Sequence, residues 1–433
     1  MENKVYIDPY PKTMKMLGLE RINIDCGNNT SIVTPANIAK DMVALLPDEV
    51  FIPESKFLDI CCKSGIFLTS IREKLMNSKA MIESFPDDKE RYKYITNNQL
   101  YGIAPNGQCQ MYSVRAVYST LKVDNPHILC FGAFDQYKTA CLNNNHKMLI
   151  DEMKKEFGQM KFDVVIGNPP YNNDIYLDFV TLGHTLASKY DCWITPAKWQ
   201  AKGGQKNEDF RKNIVPYMSK IAFYHNAGDV FNIRNLDGIS YFLISKTICR
   251  DKCIKDVDNH PTHSLFNQDW HFDKLDFTLH SFIVNNILSK CSASSKLKPT
   301  YNSKHKYLVH VSLMLSSGGG KTSFSNFSAD GKLLVLNPMT IEEIVATGNY
   351  KNLYSSDSKS ECESYISYMN TKLMRFILYV SCCGNSVTAV ETWRFVPDPE
   401  AFDHIFTDQE LYEEYNLTPE EINIIESVIK ERK

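Results

Sequence analysis

The chain has 433 residues, 43% hydrophobic and 23% charged, the balance of a soluble globular protein with room for two or three domains. Its formal charge of −3 is uneven: eleven acids against three bases between Val396 and Lys433 leave about +5 on the remainder, which permits a basic cleft without demanding one. No apolar run approaches a membrane span, and the opening MENKVYIDPYPKT lacks the layout of an export signal, so a cytoplasmic location is expected. Thirteen cysteines, an odd number, argue for reduced thiols over a disulfide frame. Cys61-Cys62, Cys382-Cys383 and Cys249-x3-Cys253 lack two matched ligand pairs at zinc spacing, and no metal site is expected.

In chain order, residues 34–46 predict a helix with Thr34 as its cap and Pro35 in its first turn. KFLDICCKSGIFL predicts a short apolar strand ending at Asp59, a turn of small residues, and a helix from about Ile66. LYGIAPNG gives a second strand and turn, followed by a helix through Val117; HILCFGAFD (127–135) gives a third strand; FDVVIG (162–167) gives a fourth. A helix over 181–190 and a strand over 190–199 follow, then two strands in KIAFYHNAGDVF and ISYFLISKTI that could pair as a hairpin. The alternation fades beyond about residue 255, which places a domain boundary at 255–265. SGGGKTS (317–323) is not a phosphate loop, because Leu315 stands where the first glycine is needed. The terminal segment reads as a helical hairpin whose last helix starts at Thr418-Pro419-Glu420-Glu421.

Strands alternating with helices predict a mostly parallel α/β sheet covered on both faces. Such sheets bind ligands at the carboxyl ends of their strands, and Asp59, Asn106, Asp135 and Asn168 all fall there. The Asn168-Pro169-Pro170-Tyr171 turn is the most specific signal. An exocyclic amino group on a base is a poor nucleophile, since its lone pair is delocalised into the ring. Two acceptors aimed at its hydrogens, the Asn168 side-chain oxygen and the Pro169 carbonyl, would favour a pyramidal nitrogen. The two prolines remove donors and stiffen the corner, and Tyr171 offers a flat surface for a base. A surface Asn-Pro turn with a satisfied tyrosine is the alternative.

With Thr34-Pro35, FLDICCKSGIFL, GNPPY and a long C-terminal region in that order, the sequence resembles S-adenosyl-L-methionine-dependent DNA adenine-N6 methyltransferases of the γ arrangement, as found in restriction–modification systems. The resemblance covers roughly residues 30–250. It implies an N-terminal extension (1–30), a Rossmann-like methyltransferase domain (31–258), and a mixed α+β target-recognition domain with an acidic helical end (259–433). It also implies methyl transfer to an adenine flipped out of double-stranded DNA, with any restriction endonuclease on a separate chain. Thr34, Asp59, Cys61 and Gly65 would border the methionine end of the cofactor. Asp135 and Phe134 would hold its adenine, with Asn168 also close to it. Asn168, Pro169, Pro170 and Tyr171 would hold the target base, and Phe231 would stack on its other side. Two positions depart from the family pattern: Lys63 replaces a glycine, and Ala104 stands where an acid usually binds the cofactor ribose, leaving Asn106 as a substitute. An RNA or protein-glutamine methyltransferase, or a degenerate non-catalytic DNA-binding relative, are the alternatives.

Overall fold

The computed structural model describes residues 24–25, 30–31, 33–119, 125–130, 146–171, 174–200, 204–224, 228–231, 239–248, 253–255, 282–291, 296–298, 305–312, 350–381 and 393–429. Two short antiparallel strands, β1 (Ile24–Asp25) and β2 (Thr30–Ser31), precede helix α1 (Ala36–Leu45). Strand β3 (Phe57–Asp59) then leads through a tight turn into α2 (Ile66–Met76), beginning where the sequence predicts. An excursion follows that folds as two helices, α3 (Lys79–Ser84) and α4 (Asp88–Asn98). Side chains cap both: Ser78 accepts from the Met81 amide, and Asp87 from those of Lys89 and Glu90.

The alternation continues with β4 (Leu100–Ala104), α5 (Gly107–Tyr118), β5 (Ile128–Cys130), α6 (His146–Phe157) and β6 (Phe162–Gly167). After these come α7 (Ile175–Leu186), β7 (Ala187–Pro196), α8 (Gln205–Asn213), β8 (Met218–Tyr224), a single turn α9 (Gly228–Phe231), β9 (Ile239–Ser245) and β10 (Cys253–Lys255). Helix α7 starts six residues earlier than its periodicity predicts, and β7 follows it without an intervening loop.

Eight strands form one sheet in the order β10-β8-β9-β7-β6-β3-β4-β5. All neighbours are parallel except β9, which runs antiparallel to both β7 and β8. The hairpin expected of the last two predicted strands is therefore present, while the three-residue edge strand β10 carries too short a pattern to be read from sequence. This order and polarity make a Rossmann-like, mostly parallel sheet. Its strands are apolar on both faces because helices cover both: Phe57, Val164 and Ile166 point into one core, Leu58 and Val165 into the other. Each such side chain contributes roughly 1.5–3 kcal/mol by leaving water.

A third core is built from residues between Val284 and Ile429. It joins α10 (Phe282–Cys291), the antiparallel pair β11 (Tyr307–Ser312) and β12 (Tyr350–Ser356), and helices α11 (Lys359–Asn370), α12 (Lys372–Ser381), α13 (Asp408–Glu414) and α14 (Pro419–Val428). The predicted terminal helical hairpin is α13 and α14, and Thr407 and Thr418 each close a capping box with the glutamate three residues on.

Trp193 locks the centre of the sheet. Its indole nitrogen donates to the buried Asp191 carboxylate at 2.8 Å, and its ring lies against Gly183 of α7 and Gly167 at the end of β6. A β-carbon at Gly183 would sit 2.0 Å from Cζ2 of that ring. Alanine has the higher helix propensity by about 1 kcal/mol, yet the anchored ring cannot swing aside. Gly183→Ala is therefore expected to destabilise the protein by about 2 kcal/mol or more, read as a lower urea midpoint; an unchanged midpoint would show that the ring yields.

Candidate active site

The sheet reverses its strand order between β3 and β6: β4 and β5 lie on one side, β7 and its neighbours on the other. Loops leaving such a point diverge and open a crevice at the carboxyl ends of the two strands. The register places Asp59, the last residue of β3, opposite Ile166, so Asn168 follows two residues beyond that pairing. The most distinctive turn in the sequence and the acid ending the first strand of the main sheet therefore share one edge of the sheet.

Asp59 is 1% exposed, and one of its carboxylate oxygens accepts from the Cys61 amide at 2.9 Å. Burial pushes its carboxyl up to about 7, against the lowering influence of the Cys61 amide, Cys62 and Lys63. The site thus holds a carboxylate whose lost hydration the protein does not fully replace, a place suited to a cationic group. The turn that follows ends at Gly65, whose φ of 75° is the left-handed conformation. A β-carbon there would lie 3.2 Å from Ala116 and from the backbone of Ser113 on α5. Arg72 fixes the same two helices together by donating to the carbonyls of Ala116 (3.0 Å) and Val117 (2.5 Å). The neighbouring Cys62 donates to the Ser113 hydroxyl at 3.2 Å, and its thiol is driven well up by burial, so it is no thiolate nucleophile. Cys61 is buried in the core behind the sheet.

Asn106, one strand away, accepts the Cys109 amide on its side-chain oxygen at 2.8 Å and caps α5. Its main duty in the fold is thus helix initiation, and Ala104 before it is buried. Phe134 and Asp135 lie outside the described residues.

In the Asn168-Pro169-Pro170-Tyr171 turn, Asn168 and Pro169 are buried while Pro170 and Tyr171 are partly exposed. The Asn168 Nδ2 donates to the Thr34 Oγ1 at 3.0 Å, and its Oδ1 has no hydrogen-bond partner among the described residues. Tyr171 is held edge-on by Tyr176 at a ring separation of 6.5 Å and reaches the Ile194 carbonyl at 3.4 Å. Its burial raises the phenol well above its ordinary range, so it acts as a neutral ring rather than a base.

Thr34 does not cap its helix. Pro35 occupies the cap position without a side-chain bond, and the threonine hydroxyl meets Asn168 instead. A sequence reading favours the local partner because the real one is 134 residues away. Phe231 is 8% exposed and packed into the first core, so its ring presents no open stacking face here. Sequence reasoning also missed Trp193 and Gly183, whose fit lies against the end of β6 at Gly167; the glycine within an otherwise apolar helix was the available signal.

A mostly parallel sheet with one reversed strand and these two loops at its switch point defines a Rossmann-like α/β protein. Residues 98–174, ending just past the Asn-Pro-Pro-Tyr turn, match the family model of the Eco57I restriction-modification methylase. An uncharacterized adenine-specific methylase of Mycoplasma pneumoniae is 24% identical over 289 residues, covering 51% of this chain and 68% of that protein. Among solved structures, a type I restriction-modification methyltransferase subunit from Streptococcus thermophilus aligns at 12% identity and TM-score 0.40, over 61% of this chain and 56% of that one. The EcoKI M protein aligns at 14% identity and TM-score 0.37, over 55% of this chain and 48% of that one. The chain spans about half the length of these solved structures. In sequence it is similar to adenine-specific restriction–modification methylases. Among the described residues no group of three or more His, Cys, Asp or Glu side chains is placed to hold a metal.

Because the folded protein raises the Asp59 carboxyl to about 7 from an ordinary 3.8, it binds more protons than the unfolded chain between those values. Stability contributed by the neutral acid is present below about pH 4 and lost as pH rises toward 7, by up to about 4 kcal/mol. Asp59→Asn removes that dependence while its amide oxygen can still accept from Cys61. Urea unfolding of the two proteins is expected to coincide near pH 4 and diverge in favour of the variant by about pH 8. Parallel curves across that range would show that Asp59 ionises freely in the folded protein.

Proposed function

We propose that the protein transfers a methyl group from S-adenosyl-L-methionine to the N6 amino group of an adenine flipped out of double-stranded DNA. The observation that carries this is the stiff Asn168-Pro169-Pro170-Tyr171 corner, whose side-chain oxygen has no partner among the described residues, at the switch point of the sheet and one strand away from the buried acid Asp59.

The residues present fit the cofactor. A buried carboxylate short of partners suits its ammonium group, and the glycine turn at Gly65 brings backbone close where a side chain would intrude. Asp59, Cys61 and Gly65 would border its methionine end, and Asp135 and Phe134 its adenine. When bound, the cofactor supplies an electrophilic methyl group on a sulfonium. The Asn168 Oδ1 and the Pro169 carbonyl would accept the two hydrogens of the target amino group, which localises the nitrogen lone pair for attack. Tyr171 would stack against the base. Phe231 could do so from the other side only by leaving its core packing. No strong base is needed, because the nitrogen loses its extra proton to water after it has been alkylated.

On this reading residues 31–258 form the methyltransferase domain, and the separate core beyond Val284 supports a target-recognition domain within 259–433. Double-stranded DNA is the partner, with any restriction endonuclease on another chain. A cytoplasmic location goes with that role; no helix among the described residues is long and apolar enough to cross a membrane.

A non-catalytic relative is the second reading. It is favoured by Ala104 at the position of the usual ribose acid and by the commitment of the Asn106 oxygen to a helix cap. Titration calorimetry with S-adenosyl-L-methionine separates the two, since the second reading requires no binding.

Incubation with labelled cofactor and plasmid DNA, followed by digestion to nucleosides, is expected to yield N6-methyladenine. Asn168→Ala should reduce that product by about a thousandfold or more, with cofactor affinity held within about threefold. Undiminished methylation by the variant, or label found on cytosine or only in RNA, would overturn the assignment.

A further inference from the structure

The buried contact between Thr34 and Asn168 is explained neither by helix capping nor by the core. Thr34 is 4% exposed and Asn168 is 5% exposed, and the amide nitrogen donates to the hydroxyl at 3.0 Å. The hydroxyl gives nothing to its own helix: α1 opens without a side-chain cap, and its first turn is closed by the Ala39 amide on the Pro35 carbonyl at 3.0 Å. A threonine immediately before a helix-starting proline is placed to cap, so its diversion to a residue 134 positions away calls for a role at that residue.

The chemistry of a primary amide supplies the role. Its two ends have nearly the same shape but opposite hydrogen-bonding character, and only the surrounding partners decide which end points where. The acceptor function assigned to Asn168 needs the oxygen toward the substrate. An amide turned by 180° would present N–H donors to an amino group that is itself a donor, and the nitrogen lone pair would remain delocalised. Neither Pro169 nor Pro170 offers an N–H to hold the amide oxygen back. A threonine hydroxyl can serve either end of an amide; here it accepts from the Nδ2 end, which pins the side chain in place and leaves the oxygen with no protein partner among the described residues.

We infer that Thr34 is a positioning residue: its hydroxyl engages the NH2 end of the Asn168 side chain so that the oxygen faces the amino group to be methylated. This rests on the methyltransferase reading and changes the role that resemblance gives Thr34, from a border of the cofactor to a brace for the catalytic amide. The N-terminal segment ahead of α1 thereby contributes to the chemical step itself.

The test is a comparison of wild type, Thr34→Val and Thr34→Ser in the full chain. Methyl transfer to plasmid DNA gives kcat, and calorimetry with S-adenosyl-L-methionine gives the cofactor Kd. Thr34→Val, nearly the same shape without the hydroxyl, is expected to lower kcat by about tenfold to a hundredfold while the cofactor Kd stays within about threefold. Thr34→Ser restores the hydroxyl and should recover at least about a third of the wild-type kcat. If Thr34→Val lacks a cooperative melting transition, Thr34→Ala is judged by the same criteria. Wild-type kcat in the valine variant overturns the inference, as does a cofactor Kd weakened about tenfold at unchanged kcat, which would make Thr34 a cofactor ligand. An inactive wild type would overturn the methyltransferase reading and this inference together; an active wild type indifferent to residue 34 overturns this one alone.

Discussion

The parallel pairing of β3 with β6 is the constraint on which the site depends. Asp59 lies opposite Ile166, and that register delivers the glycine turn and the Asn-Pro-Pro-Tyr corner to the same edge of the sheet. A slip of β6 by one residue would send Val165 into the wrong core and move Asn168 along the crevice by about 3 Å. Both cores therefore enforce the register: Phe57, Val164 and Ile166 fill one, Leu58 and Val165 the other. Packing energy spread over two hydrophobic layers fixes the position of two small polar turns.

Those turns are held against local cost. Asp59 is buried without enough partners to keep its ordinary acidity, and the Asn168 oxygen has no protein donor among the described residues. Elsewhere in the same domain two buried charged groups are better supplied. Arg72 reaches two carbonyls and the Tyr92 hydroxyl, while Asp191 accepts from His184 at one oxygen and from Trp193 at the other. In the crevice the acceptors are Asp59 and the Asn168 oxygen, placed where a ligand can supply the missing hydrogens.

Much of this was legible in the sequence, because the signals are local. The apolar run over Phe162–Gly167 ends at two prolines, so strand and corner were both plain. The small-residue turn before Ile66 fixed the start of α2, and Thr418 with Glu421 fixed that of α14. What escaped depends on distant partners. Thr34 beside Pro35 reads as a cap until the fold brings Asn168 to it. Phe231, given a stacking role by the resemblance, is packed into the first core. The start of α7 and its abrupt junction with β7 were misplaced because Gly183 and Trp193 set that geometry by mutual fit, which no periodicity records.

The reversed strand has a consequence for how the protein is made. Among the described pairings β8 has no partner earlier in the chain; its neighbours are β9 and β10, both synthesised after it. The half of the sheet beyond β7 therefore cannot close until residue 245 has cleared the ribosome. Until then β7 and β8 each present an unpaired backbone edge, and β9 enters last, between them. The interval between the emergence of β8 and that of β9 from the ribosome is thus one in which the nascent chain carries unpaired strand edges.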